Sequence, residues 1–232
     1  MKTNMETSNL VLLPGLLSNH IIWDHQCRHL SDIVNIKVIE LFSENTTEAM
    51  VDKILQLAPE KFALAGHSMG GWLALEIVKA SPERVTKLCL LNTTAHQDTP
   101  EKAQNRINMI NMAKNGEFHQ IVTQIIERLV FNEPIKERVL TMFLQVGAQA
   151  FINQQQAMLA RKYSLAYLQL IKQMTFVIHA NQDKNFSLSD HQHIVNNIDK
   201  AKLASVDDSG HMMPMEMPQA VTSLMRYWLE YL

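Results

Sequence analysis

The chain is predicted to fold as an α/β protein on a mostly parallel sheet of about six strands. Three observations predict this. Short apolar runs of strand length recur along the 232 residues, and an amphipathic helical pattern follows most of them. One strand-to-helix junction holds Gly66, Gly70 and Gly71, three of only seven glycines. Strands alternating with helices imply βαβ units, hence a parallel sheet covered on both faces.

In chain order, the stretch from Met1 to His20 superficially resembles a signal peptide. However, Glu6 offsets the single Lys2, Pro14-Gly15 interrupts the apolar run Leu10 to Leu17, and no small-x-small cleavage site follows. It reads as a buried strand, Leu10 to Leu13, and its turn. Further buried strands are expected at Lys37 to Glu40, Phe62 to Ala65, Lys87 to Asn92, Thr175 to Ala180 and Ala201 to Val206. Helical patterns run from about His20 to Leu30, Thr46 to Leu57, Met69 to Ala80, Asp190 to Ile198 and Pro218 to Tyr231.

The alternation fails once. Between Asn92 and Thr175 the amphipathic stretches are Glu101 to Lys114, Glu117 to Phe131, Pro134 to Gly147 and Phe151 to Arg161, with no strand among them. A simple crossover needs one helix. Residues 95–172 are therefore expected to form an inserted helical cap over the carboxyl ends of the strands, and residues 1–94 and 173–232 the core.

Composition narrows the function classes. With 47% hydrophobic and 19% charged residues the chain is globular, and no apolar run approaches the ~18 residues that span a bilayer. A net charge of -2 gives no field to draw nucleic acid. Cys27 and Cys89 make neither a disulfide framework nor a metal-ligand spacing, so a reducing, cytoplasmic setting is the expectation.

Gly66-His67-Ser68-Met69-Gly70, placed between a strand and a helix, is the G-x-S-x-G nucleophile elbow. The turn forces Ser68 into a strained backbone conformation, and side chains two residues either side would collide with neighbouring backbone. The geometry lifts the Ser68 hydroxyl clear of the sheet and points the Met69 N–H and the positive helix end at a developing oxyanion. A chain with 12 serines and 7 glycines is expected to match the motif by chance about 0.01 times, so a mere glycine-rich turn is the weaker reading.

At this point the chain resembles the α/β-hydrolase family, in particular its small cap-bearing bacterial members. The resemblance rests on Leu12-Leu13-Pro14-Gly15-Leu16-Leu17, the elbow, Ser81-Pro82-Glu83-Arg84-Val85, Leu91-Asn92-Thr93-Thr94 and Ser209-Gly210-His211. It implies an α/β-hydrolase fold and a triad in the chain order Ser, Asp or Glu, His. The base implied is His211, on the loop after the last strand, with Glu216 and Pro218 matching the Glu and Pro that follow it in the family. His67, His179 and the remaining histidines have no such placement, and His191-x-His193 with Asp190 offers too few ligands for zinc. The acid implied is Asp183, after the strand Thr175 to Ala180, although Asn181 and Gln182 replace the small residues usual there. Asp207 and Asp208 read as turn formers and Asp190 as a helix N-cap.

The resemblance also implies a second oxyanion donor after the first strand, here the Leu16 N–H. Pro14-Gly15 stands where the family has His-Gly, which removes a side chain that braces the loop. Independently of the family, five of the seven glycines, at 15, 66, 70, 71 and 210, flank these positions. Only nine residues precede the first strand, too few for the family's opening hairpin, hence the expectation of about six strands.

The chemistry expected is hydrolysis of an ester or thioester of a small acyl substrate through an acyl-enzyme, with no metal or organic cofactor. A lyase or synthase using the same triad, and a ligand-binding protein without turnover, are the alternatives. Met69, Met212, Met213, Met215 and Met217 are either core filler or the wall of an acyl pocket. Arg106, Arg128, Arg138 and Arg161 read as solvated helix faces, with a carboxylate, phosphopantetheine or acyl carrier as the alternative ligands.

Overall fold

A computed structural model of the protein describes residues 8–161 and 165–232. Residues 1–7, assigned above to the core and to the start of the signal-like stretch, and residues 162–164, assigned to the cap, lie outside the described residues. The strands are β1 (Asn9–Leu13), β2 (Asn35–Val38), β3 (Phe62–His67), β4 (Val85–Leu91), β5 (Met174–Ala180) and β6 (Ala201–Val206). The helices of the first half are α1 (Asp24–Leu30), α2 (Thr47–Leu57) and α3 (Met69–Ala80). Four more, α4 (Pro100–Lys114), α5 (Phe118–Leu129), α6 (Lys136–Leu159) and α7 (Leu165–Leu168), lie between β4 and β5. The chain closes with α8 (Leu188–Asn196), α9 (Met213–Glu216) and α10 (Pro218–Tyr231).

All six strands are parallel, in the order β2-β1-β3-β4-β5-β6. Side-chain alternation divides the sheet between two cores. Leu10, Leu12, Ala65 and Cys89 face α1 and α10, while Val11, Leu13, Leu64 and Leu90 face α2, α3 and α8. Burial on both faces is why the inner strands read as unbroken apolar runs. The edge strands differ from that expectation: β2 lies two residues earlier than predicted and, like β6, is only partly buried. An edge strand has one neighbour and incomplete cover, so its pattern is weaker.

The chain moves outward in opposite directions from β1 and from β3, and these two strands are neighbours. Their carboxyl ends therefore diverge and leave a crevice, the usual ligand position in an open parallel sheet. The turn after β1 and Ser68 after β3 both open onto it. Within α6, Gly147 (φ 85°, ψ 169°) breaks the helical path and separates the two stretches expected there. Among the described residues no helix is long and apolar enough to cross a membrane.

Candidate active site

β3 ends at His67 and α3 starts at Met69, so Ser68 alone turns the corner, at φ 54° and ψ -114°. That conformation is strained for a side-chain-bearing residue and holds only if the surroundings impose it. Two close approaches do so. A Cβ on Gly66 would stand 2.2 Å from the Gly70 carbonyl oxygen, and one on Gly70 would stand 2.2 Å from the Leu13 carbonyl oxygen. The Ser68 N–H donates to the Leu91 carbonyl (2.9 Å), and the Thr93 hydroxyl donates to the Ser68 carbonyl (2.7 Å).

His211 arrives on the loop after β6, 4% exposed. Its Nε2 lies 2.8 Å from the Ser68 Oγ, and its Nδ1 lies 2.8 Å from the Asp183 Oδ2. With Nδ1–H donating to the carboxylate, Nε2 is left to accept from the serine hydroxyl. The Asp183 side chain is fully buried. Burial works to raise its pKa, but His211 and the Asn185 N–H (2.7 Å) outweigh it and hold the carboxyl below its ordinary value. The three side chains expected to meet do meet.

The residues that displaced the family's small ones tie the acid loop to the base loop. The Gln182 N–H donates to the Ser209 carbonyl (3.0 Å), and the Ser209 N–H donates to Gln182 Oε1 (2.9 Å). The Asn181 amide donates to Asp207, which removes that carboxylate from contention, and Asp208 takes a turn conformation at φ 55°. Asp190 is not the helix N-cap: Ser187 is, and Asp190 completes a capping box three residues in.

Three functional-site residues escaped sequence reasoning. Asn92 is wholly buried, and its Nδ2 donates to the carbonyls of Gly210 and His211 (3.1 Å each) while its Oδ1 accepts from the Ala180 N–H (2.9 Å). It pins the base loop to the end of β5. His67 Nε2–H donates to the His211 carbonyl (2.7 Å), and burial, reinforced by His211, pushes its pKa down to about 3, so the ring is neutral. Glu216 was matched to the family without a role. It accepts from the Phe131 and Asn132 N–H groups (2.9 Å each) and from Met212 N–H (3.0 Å), fastening the turn after α5 to the base loop. No local signal marks these contacts; each exists only because distant segments converge.

Leu16 borders the same cavity as Ser68, and Met69, as the first residue of α3, has a backbone N–H that a helix start leaves without an intrahelical acceptor. The bracing side chain missing after β1 is replaced from α6. Gln154 Oε1 accepts from the N–H of Leu17 (3.0 Å), itself at φ 58°, and Gln154 Nε2 donates to the Leu41 carbonyl (2.7 Å).

A cavity of about 350 Å³ opens over Ser68 and His211. Its apolar wall is Met109, Ile125, Leu129, Met158, Phe186 and Met212. Of the methionines weighed from the sequence only Met212 lies on it; Met69, Met213 and Met215 are core, and Met217 packs partly buried against it. The arginines also depart from expectation. Arg138 is a surface residue paired with Asp24 (2.6 Å), but Arg106, Arg128 and Arg161 all line the cavity. Among the described residues no three His, Cys, Asp or Glu side chains gather to hold a metal ion.

Comparison with known proteins shows the family and the fold. Over 95 residues the chain is 32% identical to a pimeloyl-[acyl-carrier protein] methyl ester esterase of Aliivibrio fischeri (strain MJ11), covering 38% of this chain and 37% of that protein. Over 111 residues it is 28% identical to a putative carbamate hydrolase, RutD, of Agrobacterium fabrum, 42% of each chain. The matched segment thus spans about two fifths of the length of these relatives. Among solved structures, a thermophilic esterase from Thermogutta terrifontis, with malate bound, superposes at a TM-score of 0.88 with 25% identity, over 96% of this chain and 89% of that one. The enol-lactonase from Burkholderia xenovorans LB400 shares the fold at a TM-score of 0.86 and 17% identity, over 98% and 93%. A model of the alpha/beta hydrolase family matches residues 10–224, nearly the whole of the sheet and every residue of the site just described, and the chain belongs to that family.

Proposed function

We propose that the protein hydrolyses carboxylic esters or thioesters of a small acyl substrate, with Ser68 as nucleophile, His211 as general base and acid, and Asp183 as the group that orients the imidazole. The observation that carries this reading is the unbroken relay from the Ser68 hydroxyl through His211 to a buried Asp183, at the floor of a cavity. Ser68 Oγ attacks the acyl carbonyl as its proton passes to His211 Nε2, and the carbonyl π electrons move onto oxygen. Collapse of that tetrahedral species breaks the bond to the leaving alcohol or thiol, which takes the proton from His211. Water repeats the sequence on the acyl-enzyme, releasing the acid and restoring the serine. The Leu16 and Met69 N–H groups would hold the oxyanion, the former steadied through Gln154. Residues 95–172 act as a cap that shields the cavity. The similarity to esterases supports acyl transfer to water.

The test pairs active-site labelling with a substrate panel. Fluorophosphonate should label the protein and fail to label Ser68→Ala, and p-nitrophenyl esters and acyl thioesters should be turned over. Labelling without turnover of any ester or thioester would sink the hydrolase assignment.

A further inference from the structure

The cavity over Ser68 and His211 has a mixed wall. Its lining combines Ser68 and His211 with Asp98, Arg106, Gln155 and Arg161, and with apolar side chains. Arg161 Nη2 donates to Asp98 Oδ1 (2.7 Å), and Arg106 donates to both oxygens of the same carboxylate through Nε and Nη2. Two guanidinium groups thus share one carboxylate, which leaves one positive charge uncompensated. Arg161 is 8% exposed, and among the described residues its Nε–H and the Gln155 Nε2–H have no hydrogen-bond partner. A buried excess charge with unpaired donors is costly to a protein that gains nothing from it.

The imbalance belongs to the whole wall. Lys102 and Arg128 line the same space, so among the described residues four cations face a single acidic lining residue, Asp98, an excess of three in a chain of net charge -2. Sequence composition therefore gives no reason for the accumulation. The guanidinium positions are held: Arg161 lies over the Trp72 ring (5.9 Å to its centroid), and Arg106 Nη1 donates to Gln155 Oε1 (2.6 Å).

We infer that the acyl chain of the substrate ends in a carboxylate, which docks on Arg106 and Arg161 while its ester carbonyl lies at Ser68. The inference rests on the hydrolase reading for the ester end alone. A planar guanidinium fork suits a carboxylate, and one uncompensated charge at the Asp98 cluster matches a singly charged group better than a phosphate. The apolar side chains of the same wall suit a methylene chain, and Lys102 and Arg128 would draw the anion in.

The experiment compares three p-nitrophenyl esters of matched shape: the monoester of adipic acid, the 6-methylheptanoate, in which an isopropyl group replaces the carboxylate, and the 5-phosphonopentanoate. The expected kcat/KM ratio of adipate to 6-methylheptanoate is about tenfold or more in the native protein. In Arg161→Met that ratio should fall about tenfold, with partial recovery in Arg161→Lys; a ratio is insensitive to a general loss of active protein. Cleavage of both esters with a ratio near one overturns the carboxylate subsite and leaves the hydrolase standing. A preference for the phosphonate overturns the choice of anion. If none of the three esters is cleaved, calorimetry on Ser68→Ala decides the subsite, and the hydrolase reading is judged separately by the ester and thioester panel. Tighter binding of the adipate ester than of its neutral isostere supports it, and equal affinity overturns it.

Discussion

The Ser68 hydroxyl lies 2.8 Å from His211 Nε2, across 143 positions of sequence. Neither residue reaches the other by local structure: the serine is raised by a strained corner at the end of β3, and the histidine is held by Asn92, His67 and Glu216. Removing the nucleophile tests the relationship most simply. Ser68→Ala should lower kcat for any cleaved ester by a factor on the order of 10⁶ while leaving the fold intact. Retained turnover would place the chemistry elsewhere.

Among the described residues Asp183 is the only carboxylate hydrogen-bonded to His211, and its own charge is favoured by that contact. An amide at this position is isosteric but presents an N–H₂ to Nδ1, which selects the wrong imidazole tautomer. Asp183→Asn should therefore reduce kcat by up to ~10⁴ with a smaller effect on KM. Near-native kcat would hand the role to another group.

Asn92 is a positioning residue for the base. It occupies φ 43° and makes three buried hydrogen bonds, two of them to the carbonyls of Gly210 and His211. Asn92→Gly keeps the backbone conformation and removes only the side chain. Loosening the histidine by ~1 Å should cost kcat about 10²-fold, with KM little changed because the cavity wall is untouched. A parallel rise in KM, or unaltered kcat, would contradict a role confined to the base.

Much of this was legible in the sequence. The helices α3 and α10 and the strand β6 begin and end where the periodicity and Gly-Pro punctuation place them. The elbow was legible because its chemistry is local: the corner demands small residues two positions either side of the serine, and those are visible in a glycine-poor chain. β2 was displaced because an edge strand lacks the two-sided burial that writes a clean apolar run. Asn92, His67 and Glu216 were illegible for a different reason. Their partners come from loops far away in the chain, and an Asn or a Glu at a strand or helix end looks the same whether it faces water or closes a buried network. The cationic wall was misread likewise, because amphipathic spacing shows which face an arginine occupies but not whether that face meets solvent or a cavity.

Glu216 joins the inserted helices to the base loop through three backbone N–H groups, while 4% exposed. Burial raises its pKa, and the donated hydrogen bonds oppose that. Glu216→Gln removes the charge but leaves one acceptor oxygen for donors that met two, so at least one buried N–H is orphaned. The loss should be about 2 kcal/mol in the unfolding free energy, read from urea titration at pH 7. A variant as stable as the parent would mean that the turn after α5 can release Glu216 without cost.

The buried histidines set the acid side of the stability profile. Burial lowers the His67 pKa to about 3 and the His191 pKa to about 4, from 6.5 in the unfolded chain. Both groups are therefore neutral when folded and take up a proton on unfolding at any pH between those limits. The unfolded state binds more protons, so the stability they contribute is complete above pH 6.5 and is lost as pH falls towards about 4 for His191 and about 3 for His67. Burial lowers His179 in the same direction, whereas the raised pKa of Glu216 acts in the opposite sense, and the histidines outnumber it. Each of the two deeply buried rings should cost about 2 kcal/mol between pH 7 and pH 5. His191 Nδ1 donates to the Ser187 carbonyl (2.8 Å), a bond that an amide can keep. His191→Asn should accordingly flatten the profile by about one histidine's share. Denaturant titrations at pH 7 and pH 5 on both proteins measure this directly, and equal slopes would show that His191 is protonated, or solvated, in the folded state.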